Sequence, residues 1–165
     1  MVHAAKGRAD RVLRVGVIGV GIMGSNHARV FSDLSGVRLV GVVDPDPKRR
    51  ERVANAIGCR TFSNIDGLLA EGVDAVTIAA PTHMHQDIAL TCIGRGLHVL
   101  VEKPIASTVE EGRSIIAAAR NAGVTLMVGH VERFNPTVEA IKEAIRDKDI
   151  LSIAIPRVGP FPPRM

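Results

Sequence analysis

The sequence predicts an α/β fold built on a doubly wound parallel sheet. Six short apolar runs alternate with helical stretches of about ten residues. A glycine-rich turn sits where the first run meets the first helical stretch. Composition agrees with both patterns. Apolar residues make up 46% of the 165 and charged residues 23%, the balance of a single domain with a core rather than of a disordered chain. Val, Ile, Ala and Leu supply most of the apolar share, with four Phe and neither Trp nor Tyr, which suits buried parallel strands covered by Ala-rich helices.

The elements follow in order. A strand is expected at 14–19 (RVGVIG) and a helix over 22–32, then a second strand at 38–43 (RLVGVV). Pro47 opens the next helix, because its ring presets φ for a first turn, and Gly58 ends it, because a left-handed C-cap favours glycine. A short strand over 59–62 and a short helix over 65–70 come next. The run 73–80 (VDAVTIAA) reads as a strand closed by Pro81, followed by a helix over 83–95 with Gly96 after it. A fifth strand at 98–102 stops before Pro104. Ser107 or Thr108 caps a helix reaching 121, with Glu111 completing a capping box. A sixth strand is expected at 124–129, and Asn135-Pro136 opens an amphipathic helix to 146.

The rhythm then breaks. Residues 150–157 (ILSIAIPR) alternate Leu151, Ile153 and Ile155 like a strand with one apolar face, and prolines follow. The expected organisation is a flexible lead at 1–13, a nucleotide-binding domain at 14–148, and the start of a further, mostly missing domain at 149–165.

Several function classes are set aside by composition. No apolar run approaches the roughly 18 residues of a membrane-spanning helix, and the basic N-terminus lacks the apolar stretch of a secretory signal. Cys59 and Cys92 have no partners at metal-ligand spacing, so both are expected as small buried apolar groups in a reducing, cytoplasmic compartment. The formal charge is +4. Lys48, Arg49, Arg50 and Arg52 read as a solvated helix face, or alternatively as an attraction for an anionic nucleotide or nucleotide-sugar. No aromatic platform accompanies them, which argues against nucleic acid. His83 and His85 stand two apart, so a helix aims them to different faces, and no metal site is expected.

Gly19-Val20-Gly21-Ile22-Met23-Gly24 fits G-x-G-x-x-G, after a strand and at the opening of a helix. Asp44 stands at the end of the next strand. That is the context of a dinucleotide site. Gly19 allows the tight turn, Gly21 the close approach of a pyrophosphate, and Gly24 the packing of helix on strand. Unpaired N–H groups at the helix N-terminus favour the anion. Asp44 is expected to accept hydrogen bonds from the adenine-ribose hydroxyls and to repel a 2′-phosphate, so NAD is the expected cofactor rather than NADP.

Three further landmarks fall at the C-terminal ends of later strands, where open α/β sheets bind ligands. They are Pro81-Thr82-His83-Met84-His85, Glu102-Lys103-Pro104 and Gly129-His130. With the glycine turn, this set resembles the Gfo/Idh/MocA family of sugar and cyclitol oxidoreductases, whose fingerprint includes P-T-x-x-H and E-K-P segments. The resemblance runs from about Arg14 to the C-terminus. The segments Gly129 to Pro136 and Val158 to Arg164 resemble the UDP-N-acetylglucosamine 3-dehydrogenase branch of that family.

The resemblance implies hydride transfer from a sugar carbinol carbon to nicotinamide. It implies that Lys103 lies beside the substrate hydroxyl, either as an ammonium that stabilises a developing alkoxide or as a neutral amine that relays the proton. Glu102 is expected to contact the ribose or nicotinamide end, or else to orient Lys103. His85 is expected to help hold the nicotinamide side, or only to cap or pack. Ala80, Pro81 and Thr82, with Ile22, Met23 and Lys103 itself, complete the expected cofactor contacts. His130 and Arg133 are expected to face the sugar diphosphate or to support groups that do, while His27 and His98 are expected to be structural. Family members run to about twice this length, and their second half supplies further catalytic groups and the subunit interface, so a homo-oligomer is expected only where that half is present. Two readings of different class follow: the cofactor-binding half of a sugar dehydrogenase, or a free-standing NAD-binding module without turnover. A third is a family member acting on inositol or another polyol or carbonyl compound.

Overall fold

The six apolar runs form six strands in the computed structural model, which describes residues 11–156. They are β1 (Leu13–Ile18), β2 (Val37–Val43), β3 (Arg60–Phe62), β4 (Ala75–Ile78), β5 (His98–Val101) and β6 (Leu126–Val128). All pair in parallel, in the order β3-β2-β1-β4-β5-β6. This is the doubly wound order of dinucleotide-binding sheets, which reverses between β1 and β4 and so opens a crevice at the strands' C-terminal ends. The helices joining these strands are α1 (Ile22–Asp33), α2 (Pro47–Ile57), α3 (Ile65–Ala70), α4 (His85–Gly94) and α5 (Val109–Ala122).

Alternation along the strands divides the core between two faces of the sheet. Val17 and Val42 meet Val20, Ala28 of α1 and Val53 of α2 on one face. Ile18, Val43 and Ile78 join Leu68 of α3, Ile88 and Cys92 of α4, and Ile115 of α5 on the other. Gly16 is needed for this packing, since a Cβ there would stand 2.4 Å from Leu68.

Local signals set the helix ends. Pro47 fills the first turn of α2 and Gly58 stops it at φ 71°, as the sequence predicts, and Asp46 adds a cap by accepting the Lys48 N–H. Thr108 accepts the Glu111 N–H at 3.2 Å, and the Glu111 carboxylate reaches back to the Ser107 N–H at 2.9 Å. The helix expected over 83–95 instead divides into a tight turn, Thr82–Met84, and α4. Pro81 causes the division, because its carbonyl accepts the Met84 N–H at 2.9 Å and closes a three-residue turn ahead of the helix.

Chain contacts separate residues up to Gly129 from those beginning at His130. The first unit is therefore shorter than the nucleotide-binding domain expected to reach 148. The second holds a turn, Val131–Phe134, and α6 (Pro136–Ala144), whose cap Asn135 accepts the Thr137 N–H at 3.0 Å. The strand expected at 150–157 is not formed over 150–156. An isolated apolar alternation has no ladder to complete, and a strand without a partner is not stable in water. Residues 1–10 and 157–165, with the 158–164 motif and most of the expected lead, lie outside the described residues; Leu13 already pairs with Val37.

Cys92 is fully buried in the larger core, and Cys59 is half-buried. Burial pushes the Cys92 thiol up to about 11 from 9.0, against a smaller opposing pull from Arg95. A thiol whose folded value is raised contributes stability that is complete below 9.0 and lost as pH climbs from there toward 11, where only the unfolded thiol ionises. We expect a thiol reagent at pH near 8 to label Cys59 in the folded protein, while Cys92 is labelled only at the rate of unfolding. Equal labelling rates for the two would contradict the packing described.

Candidate functional site

The glycine turn is built as its spacing demands. Gly19 adopts φ +84°, and a Cβ on it would lie 2.7 Å from the Ala79 carbonyl oxygen at the neighbouring strand exit. A Cβ on Gly24 would stand 1.8 Å from the Gly19 carbonyl oxygen, so only glycine lets α1 fold back over the turn. Gly21 differs, since nothing lies within 4 Å of where its Cβ would be. Its open side is the approach for an anion.

The N-terminus of α1 has no side-chain cap and no acidic residue in its first turn. By contrast α2, α3 and α5 are capped by Asp46, Asn64 and Thr108. The first N–H groups of α1 have no side-chain acceptor, and with the helix dipole they could hold an anion such as a pyrophosphate. Ile22 is 73% exposed and Met23 40%, so two apolar side chains stand in solvent beside the turn.

Asp44 leaves β2 with its carboxylate already aimed. One oxygen accepts the Val20 N–H and the other the Asp46 N–H, both at 2.9 Å. A carboxylate oxygen has room for a second donor, so ribose hydroxyls can be added without breaking either bond. Arg50, expected on a solvated helix face or as an attraction for an anionic nucleotide, donates to the carbonyls of Asp44 at 3.0 Å and Pro45 at 3.2 Å. Its place one turn past the α2 cap is the signal that could have found it, because helical side chains lean toward the N-terminus. Arg49 pairs with Asp46 at 3.4 Å.

The exits of β4 and β5 carry the remaining expected residues. Ala80, Pro81 and Thr82 follow β4, with Pro81 exposed and the other two half-buried. Glu102 and Lys103 follow β5. Lys103 is exposed and, among the described residues, makes no ion pair. Glu102 is 6% exposed; one oxygen lies 2.7 Å from Nε2 of His27, and the other accepts the Lys103 N–H at 3.3 Å. Gly129 leaves space for it, since a Cβ there would stand 3.0 Å from the carboxylate.

Of the two readings of His85, as a catalytic or cofactor-contacting residue or as one that only caps or packs, the geometry favours the second: it is 1% exposed, with Nδ1 3.0 Å from the Pro104 carbonyl and Nε2 2.9 Å from the Ala80 carbonyl. Neither nitrogen is presented to a ligand; the ring packs and braces. His27, expected to be structural, is the partner of Glu102, a link across 75 residues of sequence that no local pattern reveals. His98 accepts the Thr125 N–H at 2.9 Å and joins β5 to the approach of β6. His130 and Arg133 belong to the second unit, at and within its first turn.

A cavity of about 290 Å³ opens at the opposite end of the sheet, between Arg11, Leu13, Asp74 and Arg95. It lies at the strands' N-terminal ends, away from the glycine turn, Asp44 and Lys103. Among the described residues no group of three His, Cys, Asp or Glu side chains could hold a metal ion, and no helix is long and apolar enough to cross a membrane. An uncapped glycine turn, an aimed carboxylate on the second strand and open space at Gly21 together fit a dinucleotide with free ribose hydroxyls.

Comparison with known proteins agrees. Residues 13–130 match the model of an oxidoreductase family with an NAD-binding Rossmann fold, GFO_IDH_MocA. A UDP-N-acetylglucosamine 3-dehydrogenase of Acidithiobacillus ferrooxidans is 37% identical over 152 residues, 92% of this chain and 47% of the relative. An inositol 2-dehydrogenase of Saccharopolyspora erythraea is 39% identical over 141 residues, 83% of this chain and 42% of the relative. Among solved structures, the WlbA dehydrogenase of Bordetella pertussis in complex with NADH and UDP-GlcNAcA superposes with a TM-score of 0.78 at 33% identity, over 85% of this chain and 41% of that one. The chain thus spans somewhat under half the length of the curated relatives it matches.

Proposed function

This chain belongs to the Gfo/Idh/MocA oxidoreductase family, and from that premise we propose that it serves NAD-dependent oxidation of a sugar or nucleotide-sugar hydroxyl. The observation that carries the reading is the meeting of α1, the helix of the glycine turn, with the Glu102-Lys103 segment through the 2.7 Å contact of His27 and Glu102. That contact supports reading cofactor cradle and lysine as parts of one site. The C3 hydroxyl of UDP-N-acetylglucosamine is the first candidate substrate, because the relative named for that oxidation is 37% identical over 92% of the chain. Inositol is the second, on the strength of a relative 39% identical over 83%.

NAD, when bound, supplies the hydride acceptor. The glycine turn and the first turn of α1 hold its pyrophosphate, and Asp44 its adenine ribose. Lys103 meets the substrate hydroxyl: as a neutral amine it takes the hydroxyl proton, and the ammonium so formed hydrogen-bonds the oxygen left behind. Glu102 acts on Lys103 through the backbone, by accepting its N–H.

The test is NADH formation by this chain, alone and fused to the C-terminal half of the Acidithiobacillus relative, with UDP-N-acetylglucosamine and myo-inositol side by side. Turnover of the nucleotide-sugar, with a kcat/KM about 100-fold or more above that for inositol, is expected. A fusion that binds NADH yet turns over neither compound would overturn the reading.

A further inference from the structure

We propose that His27 and His85 are positioning residues that bracket Lys103, each holding the residue on one side of it to an element of the cofactor cradle. The inference rests on the reading of Lys103 as the group that meets the substrate hydroxyl. On the N-terminal side, Nε2 of His27 lies 2.7 Å from Oε1 of Glu102, and Oε2 of the same carboxylate accepts the Lys103 N–H. On the C-terminal side, Nδ1 of His85 lies 3.0 Å from the Pro104 carbonyl oxygen. The far nitrogen of His85 faces the Ala80 carbonyl, at the exit of β4; a neutral ring donates from Nδ1 to Pro104 and packs its other edge against Ala80.

The supports differ in origin and converge on one residue. His27 stands in the second turn of α1, and its ring stacks on Phe31 one turn further on, with centroids 6.3 Å apart, which fixes the direction of Nε2. His85 opens α4 and is locked by burial at 1% exposure. Glu102, at 6% exposure, needs a partner in place of water. His27 is that partner. Between the buried Glu102 and the Pro104 carbonyl, Lys103 is exposed.

A lysine side chain has four rotatable bonds, so its ammonium is well placed only if its backbone is. A displacement of about 1 Å at a reacting group costs roughly a hundredfold in rate. The bracket therefore has a function that packing alone does not need: it keeps the Lys103 backbone in register with the glycine turn through α1, and with the β4 exit through α4.

The test uses the full 165-residue chain without substrate, so that it does not depend on turnover. Amide hydrogen exchange is followed by NMR at Lys103 and, as a control, at Val17 and Ile18 of β1. His27→Leu is expected to speed exchange at Lys103 by about tenfold, the loss of one hydrogen bond held by a charged group, while the β1 amides are unchanged. His27→Gln, whose amide nitrogen can take the place of Nε2, is expected to restore most of the protection. For the other side, the Pro104 carbonyl carbon resonance is expected to move in His85→Leu and to stay near its place in His85→Asn, which keeps a donor where Nδ1 stands. Should His85→Leu fail to fold, the His27 pair decides. Unchanged exchange at Lys103 in His27→Leu, or a rise shared equally by the β1 amides, would overturn the bracket. The reading beneath it fails separately, through a Lys103 variant that keeps its turnover while these exchange results hold.

Discussion

Replacing Lys103 with Met is expected to lower kcat by about 10²- to 10⁴-fold, the range for loss of a positioned proton-transfer or oxyanion-stabilising group. Methionine keeps the length of the side chain and removes the charge. Lys103 is exposed at the end of β5 and makes no ion pair among the described residues, so no structural contact is lost with the ammonium. NADH affinity is therefore expected to stay within about threefold of the parent, because the turn at Gly19 and the carboxylate of Asp44 are untouched. Steady-state kinetics in the fused protein, with calorimetry for the cofactor, separate the two quantities. A variant that keeps more than a tenth of the parent kcat, roughly 1.4 kcal/mol of barrier, would remove Lys103 from the reaction.

Gly24→Ala is expected to abolish cofactor binding and to lower stability by about 3 kcal/mol. The added Cβ would stand 1.8 Å from the Gly19 carbonyl oxygen, a backbone atom that no rotamer change can move aside. Either α1 lifts from the sheet or the turn opens, and both dismantle the anion site. Gly21→Ala is the matched control. Its Cβ meets nothing within 4 Å and its φ of −64° suits any residue, so stability should change by less than about 1 kcal/mol. NADH binding should still weaken, because the methyl occupies the pyrophosphate's path. Thermal unfolding with calorimetry on both variants distinguishes a broken turn from a blocked one. Equal stability losses in the two would contradict the geometry.

What was legible in the sequence was local. The turn at Gly19 to Gly24, Asp44 at the end of the next strand, the Pro47 start and Gly58 stop of α2 each depend on residues a few positions apart, and each is where the pattern places it. The supports of the site were not legible. His27 and Glu102 are separated by 75 residues and meet only because β1 and β5 flank β4 in the sheet. His85 sits in a motif that suggests ligand contact, yet its ring turns inward to two carbonyls, because the turn after Pro81 delays the helix and rotates the residue toward the core. Arg50 was hidden among neighbouring cations with which it shares composition but not direction. The alternation at 150–157 misled for the opposite reason: period-2 patterning is a property of one segment, and a strand is a property of two.

A calorimetric titration of the chain with NADH and with NADPH tests the central claim most directly; the absence of Trp makes heat a better signal than fluorescence. NADH is expected to bind more tightly than NADPH. Asp44→Ala is expected to weaken NADH by about tenfold or more, the worth of hydrogen bonds to a charged acceptor, and to narrow the gap between the cofactors. No heat with either cofactor, or tighter binding of NADPH, would contradict the assignment of this fold to NAD.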